Sequence, residues 1–163
     1  MDSKLKNYEN AERLLAETLF KSTNSVRKYY FTSGHICYDA VVYNKNNEAI
    51  LVEIKVRSFN IKKYDDYIIE VDKLRRLIST GEKYKFDKIL YINFFTTDKP
   101  EVYEFIIFNI TERLKIWKDK QPVTETKLMN AETYISNTRK VYKEVIMLKY
   151  DETFDKKGEI TLK

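Results

Sequence analysis

A chain of 163 residues, 43% hydrophobic and 34% charged, carries enough apolar material for one folded domain and leaves little room for a second. Thirty Lys and Arg against 25 Asp and Glu give a net charge of +5 and a pI near 9.0, a balance that suits a polyanionic partner. A single histidine and a single cysteine exclude a His-based zinc site, a zinc finger and any disulfide within the chain, while Gly34, Gly81 and Gly158 lie too far apart for a P-loop or a dinucleotide fingerprint. Catalysis therefore has to come from carboxylates, Lys, Tyr, Ser or Thr, and oxygen-ligated Mg²⁺ or Mn²⁺ is the natural metal for carboxylates. The charged start MDSKLKNYENAER has neither the apolar stretch of a signal peptide nor the bias of a transit peptide, and no apolar run reaches transmembrane length. The expectation is a cytoplasmic protein with no membrane partner.

In chain order, Asn10 to Phe20 has helical spacing, with Tyr8, Ala11, Leu15 and Leu19 on one stripe, and Ser22 to Ser25 ends it. Three strand-like runs follow, Arg27 to Thr32, Ile36 to Tyr43 and Ala49 to Val56, and the polar Asn44-Lys45-Asn46-Asn47 makes the last two a hairpin. Between Asp66 and Thr80, Tyr67, Val71, Leu74, Leu77 and Ile78 return to helical spacing, with Gly81 at the expected end. Asp87 to Phe95 is an almost continuous apolar run, as in a strand buried on both faces, and Val102 to Ile110 is similar. Thr111 to Thr138 is polar and gives no clear element, and Val141 to Tyr150 reads as a last strand before a hydrophilic tail. The expected fold is α/β with a mixed central sheet, ordered helix, three strands, helix, strand, plus C-terminal additions. One domain spans 1–163, with its core at about 8–110 and an extension over 111–163.

On the strand Ala49 to Val56, period-two alternation puts Ile50, Val52, Ile54 and Val56 on one face, read as the core face, and Glu53, Lys55 and Arg57 on the other. On the preceding strand Asp39 interrupts an apolar run, where an unpaired carboxylate is costly to bury. The hairpin can bring Asp39 alongside Glu53 and Lys55, and a divalent cation between the carboxylates would answer both repulsion and burial.

Asp39, thirteen intervening residues and Glu53-Ile54-Lys55 together resemble the signature of the PD-(D/E)xK nuclease superfamily. The resemblance covers Ala11 to roughly Phe95 and is closest in pattern to archaeal Holliday-junction resolvases and phage nucleases, in which a Glu-Arg pair on the first helix precedes the same strands. Glu12-Arg13 matches that pair. Tyr38 stands where the family often has proline, and nothing after Tyr91 is matched. The resemblance implies a restriction-endonuclease-like core and a Mg²⁺- or Mn²⁺-dependent phosphodiesterase acting on nucleic acid, DNA ahead of RNA. For an enzyme acting on two strands it implies a homodimer as the usual assembly.

It further implies Asp39 and Glu53 as metal ligands, with the Ile54 carbonyl as a further one, and Lys55 as the group that orients water or offsets phosphoryl charge. A third carboxylate would come from the first helix, where Glu12 and Glu17 compete. Glu12 is chosen because it lies beside Tyr8, Leu15 and Leu19, although a plain solvated charge fits it as well. Glu70, on the apolar face of the second helix, and Lys73 beside it are secondary candidates for the same site. Arg57, Arg75 and Arg76 are candidate phosphate contacts, with solvated charges as the plainer reading, and His35 is a candidate substrate contact. Cys37 reads as a small core residue, Trp117 as an anchor of the C-terminal addition, and most of the 13 tyrosines as packing rather than stacking platforms. Two alternatives stand beside the nuclease: an inactive nucleic-acid-binding module and a protein-interaction domain of the same fold.

Overall fold

The computed structural model describes residues 3–33, 36–131 and 139–162, with side chains from Asn10 onward. The first helix, α1 (Ser3–Ser22), buries Leu15, Ala16, Leu19 and Phe20. Three antiparallel strands follow, β1 (Val26–Phe31), β2 (Ala40–Asn44) and β3 (Ala49–Arg57). The β2–β3 turn is held by Asn44, whose Oδ1 accepts the N–H groups of Asn46 and Glu48 at 2.9 and 3.0 Å, while Asn47 takes a positive φ of 64°. After β4 (Asp66–Glu70) and α2 (Val71–Lys83), β5 (Lys88–Thr96) returns parallel to β3, and β6 (Val102–Asn109) pairs antiparallel with β5. The C-terminal part adds α3 (Ile110–Trp117), β7 (Thr124–Asn130), β8 (Lys140–Lys149) and β9 (Lys156–Thr161).

The six-stranded sheet runs β1-β2-β3-β5-β6-β9 and the three-stranded sheet β4-β8-β7. This is the expected α/β fold with a mixed central sheet. Period two splits β3 between two cores. Ile50, Val52 and Ile54 pack with α1, whereas Leu51 packs with Leu74 and Leu77 of α2, Ile110 of α3 and Ile69, Ile146 and Leu148 of the second sheet.

Several sequence expectations are corrected. The helix expected over Asp66 to Thr80 is two elements: Tyr67 and Ile69 are buried in period two where β4 pairs with β8, and helical spacing takes over only at Val71. A strand partner distant in sequence outweighed the local period. Gly81 lies inside α2 rather than at its end, and a Cβ there would sit 2.8 Å from Ile89 Cδ1, so glycine permits the close approach of helix to β5. The strand expected from Ile36 begins only at Ala40, and Cys37, expected in the core, is half-buried with its Sγ 3.1 Å from Thr80 Oγ1. Both faces of β3 are covered, since Leu51 and Glu53, on the face opposite Val52 and Ile54, are fully buried. The unread segment 111–138 contains α3 and β7, and the hydrophilic tail supplies β9, the sixth strand of the main sheet. Trp117 packs against the core on the α2 side.

Candidate active site

The site forms where β3 outruns β2. Ala40 opposite Val52 is the last pair of their ladder, extended by the Asp39 N–H donating to the Val52 carbonyl at 3.0 Å. Beyond that point the β3 edge has no neighbouring strand on the β2 side among the described residues, and carboxylates take its N–H groups instead. Ile54 N–H donates to Asp39 Oδ2 at 2.7 Å, and Val56 N–H donates to Glu12. Since successive peptide groups alternate between edges, the Ile54 carbonyl is directed to the same open edge as its N–H.

Glu53 projects from β3 toward α2 and is fully buried. Lys73 Nζ, on the first turn of α2, stands 2.9 Å from Glu53 Oε1, and Lys55 Nζ stands 3.6 Å from the same oxygen and 3.7 Å from Glu12 Oε1. Lys73 is the cation that meets Glu53 most closely and favours its charged form, while Glu53 Oε2 has no hydrogen-bond partner among the described residues. Burial, reinforced by the Asp39 charge, raises the Glu53 pKa to about 7 despite both lysines. Burial also pushes the Glu12 carboxyl up, against the opposing pull of Lys55 and with a further push from Asp39.

Two carboxylates, one of them fully buried, and a carbonyl at an open strand edge are a donor set of hard oxygens. It fits Mg²⁺ or Mn²⁺, which retain water ligands and need only one or two carboxylates from the protein. No group of three or more His, Cys, Asp or Glu side chains able to hold a metal closes among the described residues, and Glu12 is held by Lys55 and Val56 rather than completing such a group.

No family model matches this chain, and no curated protein does. Among solved structures it is similar to Hjc, a Holliday junction resolvase from the archaeal hyperthermophile Archaeoglobus fulgidus. The two share 12% identity over 84% of this chain and 85% of that one, with a TM-score of 0.45. The chemistry of the site is argued from its own side chains.

The remaining sequence candidates divide. Lys73 belongs to the cluster. Glu70 does not: it closes β4 ahead of α2, and both its oxygens lie 3.1 Å from Lys143 Nζ of β8. Its expected place on a helical face vanished with the helix turn that would have carried it. Arg57 is turned inward rather than offered to phosphate, donating from Nε to Asn93 Oδ1 at 3.0 Å and from Nη2 to the Tyr91 hydroxyl at 2.8 Å and the Ile68 carbonyl at 3.2 Å. Arg75 and Arg76 are exposed on α2, Arg75 3.5 Å from Asp72. His35 lies outside the described residues. Glu17, the rejected rival of Glu12, is engaged with Lys21 at 2.7 Å and with the Tyr29 hydroxyl.

Asn93 was missed. It is fully buried on β5 directly opposite Lys55, and its Nδ2 has no partner among the described residues. Its signal is the one Asp39 gave, a polar side chain interrupting an apolar run, here Tyr-Ile-Asn-Phe-Phe.

Proposed function

We propose that this chain is a metal-dependent nuclease that hydrolyses phosphodiester bonds in nucleic acid, with DNA as the first substrate to test. The observation that carries the reading is Glu53: a fully buried carboxylate set beside Asp39 and between two lysines, its Oε2 without a hydrogen-bond partner among the described residues. A carboxylate kept in so costly a place has a use for its charge. Asp39, Glu53 and the Ile54 carbonyl would hold Mg²⁺ or Mn²⁺. When bound, such an ion supplies Lewis-acid polarisation of the phosphate and a lowered pKa for the attacking water.

Lys55 would orient that water or offset charge gathering on the phosphoryl oxygens. Lys73, closest to Glu53, holds that carboxylate toward its ionised form and so prepares it as a ligand. Glu12 holds Lys55 in position through its 3.7 Å contact. Arg75 and Arg76, exposed on the helix that carries Lys73, would meet phosphates without reading sequence. We place the whole chain in one domain, with the second sheet packed on the core, and take a homodimer as the assembly to test.

The experiment is cleavage of linear, circular, single-stranded and branched substrates with Mn²⁺. Asp39→Ala and Glu53→Ala are expected to abolish cleavage while leaving the fold intact, as judged by circular dichroism. Wild-type rates in either variant would overturn the site. Lys55→Ala should lose turnover yet keep Mn²⁺ affinity in calorimetry, because an ammonium cannot ligate a cation. Lost affinity would make Lys55 a structural partner of the acids.

One observation favours a second reading, an inactive binding module: the 2.9 Å contact of Lys73 can neutralise Glu53 without any cation. Under that reading Mn²⁺ leaves the melting temperature of the protein unchanged, whereas a metal site raises it through linkage.

A further inference from the structure

Beside the carboxylates the molecule carries a second surface that metal-dependent hydrolysis does not use. An open cavity of about 670 Å³ lies between the C-terminal half of α2 and the β2–β3 hairpin, with Tyr38, Tyr43, Tyr84 and Phe86 among its lining. Tyr43 meets Tyr30 of β1 edge-on at 6.3 Å, so the aromatic surface continues out of the cavity across the sheet. Tyr30 and Tyr84 are 57% and 62% exposed, unlike Tyr67 and Tyr91, which are buried in the core. Lysines accompany these rings. Lys28 Nζ lies 4.6 Å from the Tyr43 ring centroid and 5.6 Å from that of Tyr30, and Lys83 Nζ lies 5.0 Å from that of Tyr84. Of the acids that adjoin the lining in sequence at its hairpin end, Asp87 accepts the Ala49 N–H at 2.7 Å and Glu48 is paired with Lys88 at 2.8 Å.

The cavity also leads to the proposed site. Its wall at Cys37 and Tyr38 runs directly into Asp39, and the Cys37 carbonyl accepts from Lys73 Nζ at 3.4 Å. Along α2, Lys73, Arg76, Thr80 and Lys83 recur at helical spacing on the side that faces this segment, where Cys37 Sγ approaches the Arg76 carbonyl and Thr80 Oγ1. Cations therefore line the helix for about 15 Å from the carboxylates to the aromatic surface.

We propose that this aromatic and basic surface binds single-stranded nucleic acid, with unpaired bases stacked on Tyr30, Tyr43 and Tyr84 and the backbone following Lys73, Arg76 and Lys83. Duplex bases are already stacked on one another and cannot lie on protein rings, whereas every unpaired base offers a free π-face to tyrosine, and phosphate offers the charge that lysine complements. The inference rests on the nuclease reading for its catalytic meaning and names the substrate class: strands, tails or branches with unpaired bases delivered past Tyr38 to Asp39.

The test is a binding measurement that needs no cleavage. Fluorescence anisotropy of labelled oligothymidylate and of a blunt duplex of equal length is recorded in EDTA for the wild type, Tyr30→Ala, Tyr84→Ala and the corresponding Phe variants. Both tyrosines are exposed, so truncation should leave the fold intact. Each Ala variant is expected to lose about tenfold in single-strand affinity with duplex affinity unchanged, and each Phe variant, which keeps the ring, to bind as the wild type does. Unchanged single-strand binding in both Ala variants, or equal losses on strand and duplex, would overturn the proposal. Failure of the nuclease reading looks different: no substrate is cut with Mn²⁺ while the tyrosine dependence of single-strand binding persists.

Discussion

Glu53 concentrates the electrostatics of the site in one side chain. Its folded pKa of about 7 lies above the unfolded value near 4.5, so between those pH values the folded chain holds a proton that the unfolded chain has released. A raised pKa contributes stability that is fully present below the unfolded value and is lost as pH rises through the folded one. The metal-free protein should therefore weaken by on the order of 3 kcal/mol as pH climbs from about 4.5 past about 7. Glu53→Gln removes this dependence, and the variant should be more stable than the wild type at about pH 8.5 but not at about pH 4.5. Urea denaturation at the two pH values checks it, and a constant difference between the proteins would mean that burial does not govern Glu53. Desolvation wins here because two ammonium groups at 2.9 and 3.6 Å are shared with other work: Lys55 also faces Glu12, and Lys73 also meets the Cys37 carbonyl.

Three elements meet at the site for separate reasons. The hairpin fixes the register that sets Asp39 beside Ile54, the early end of β2 leaves the β3 edge open, and α2 lays Lys73 over Glu53. The last depends on how closely α2 approaches β5, and Gly81 controls that distance. Gly81→Val would place a branched side chain where even a Cβ meets Ile89 Cδ1 at 2.8 Å and Cγ1 at 3.3 Å. The Ile89 tip can yield to a methyl, but two further methyls in a buried contact should cost about 2 kcal/mol by overpacking. The expected readout is a melting temperature lower by roughly 4–8 °C for a chain of this size. An unchanged melting temperature would show that helix and strand have slack to spare.

At the scale of the molecule, one buried ion pair ties the C-terminal part to the main sheet. Arg113 of α3 pairs with Asp155 just ahead of β9 and donates to the Lys149 carbonyl at the end of β8, while its guanidinium lies 5.3 and 5.1 Å from the ring centroids of Phe108 and Phe154. Asp155 in turn accepts the N–H groups of Asn109 at 2.9 Å and Asp151 at 3.0 Å. One carboxylate thus joins β6, the loop after β8 and the start of β9. Arg113→Ala leaves that buried charge without its cation and should cost about 3 kcal/mol, measured by urea unfolding. Hydrogen exchange in the same variant should quicken first in β9, the outermost strand beyond β6, and quickening confined to β1 would refute the clamp.

Sequence periodicity carried the candidate site a long way, because the cost of burying charge leaves a local mark: Asp39 breaks an apolar strand, and Glu53 and Lys55 alternate with Val52 and Ile54. The polar Asn44–Asn47 turn likewise announced the hairpin that brings them together. Pairings between residues far apart in the chain leave no such mark. Val71, Leu74 and Leu77 continue the spacing begun at Tyr67 closely enough to hide a strand, and only the ladder with β8 makes Asp66–Glu70 extended and sends Glu70 to Lys143. β9 buries Ile160 alone among its residues, so its place beside β6 could not be read from its hydrophobicity. Which face of a strand is apolar is written every second residue, but what covers that face is decided by the contacts of the whole chain. For this reason Glu53 was legible as a charge on the face opposite Val52 and Ile54, but what buries it, α2 and the second sheet, was decided by the tertiary structure.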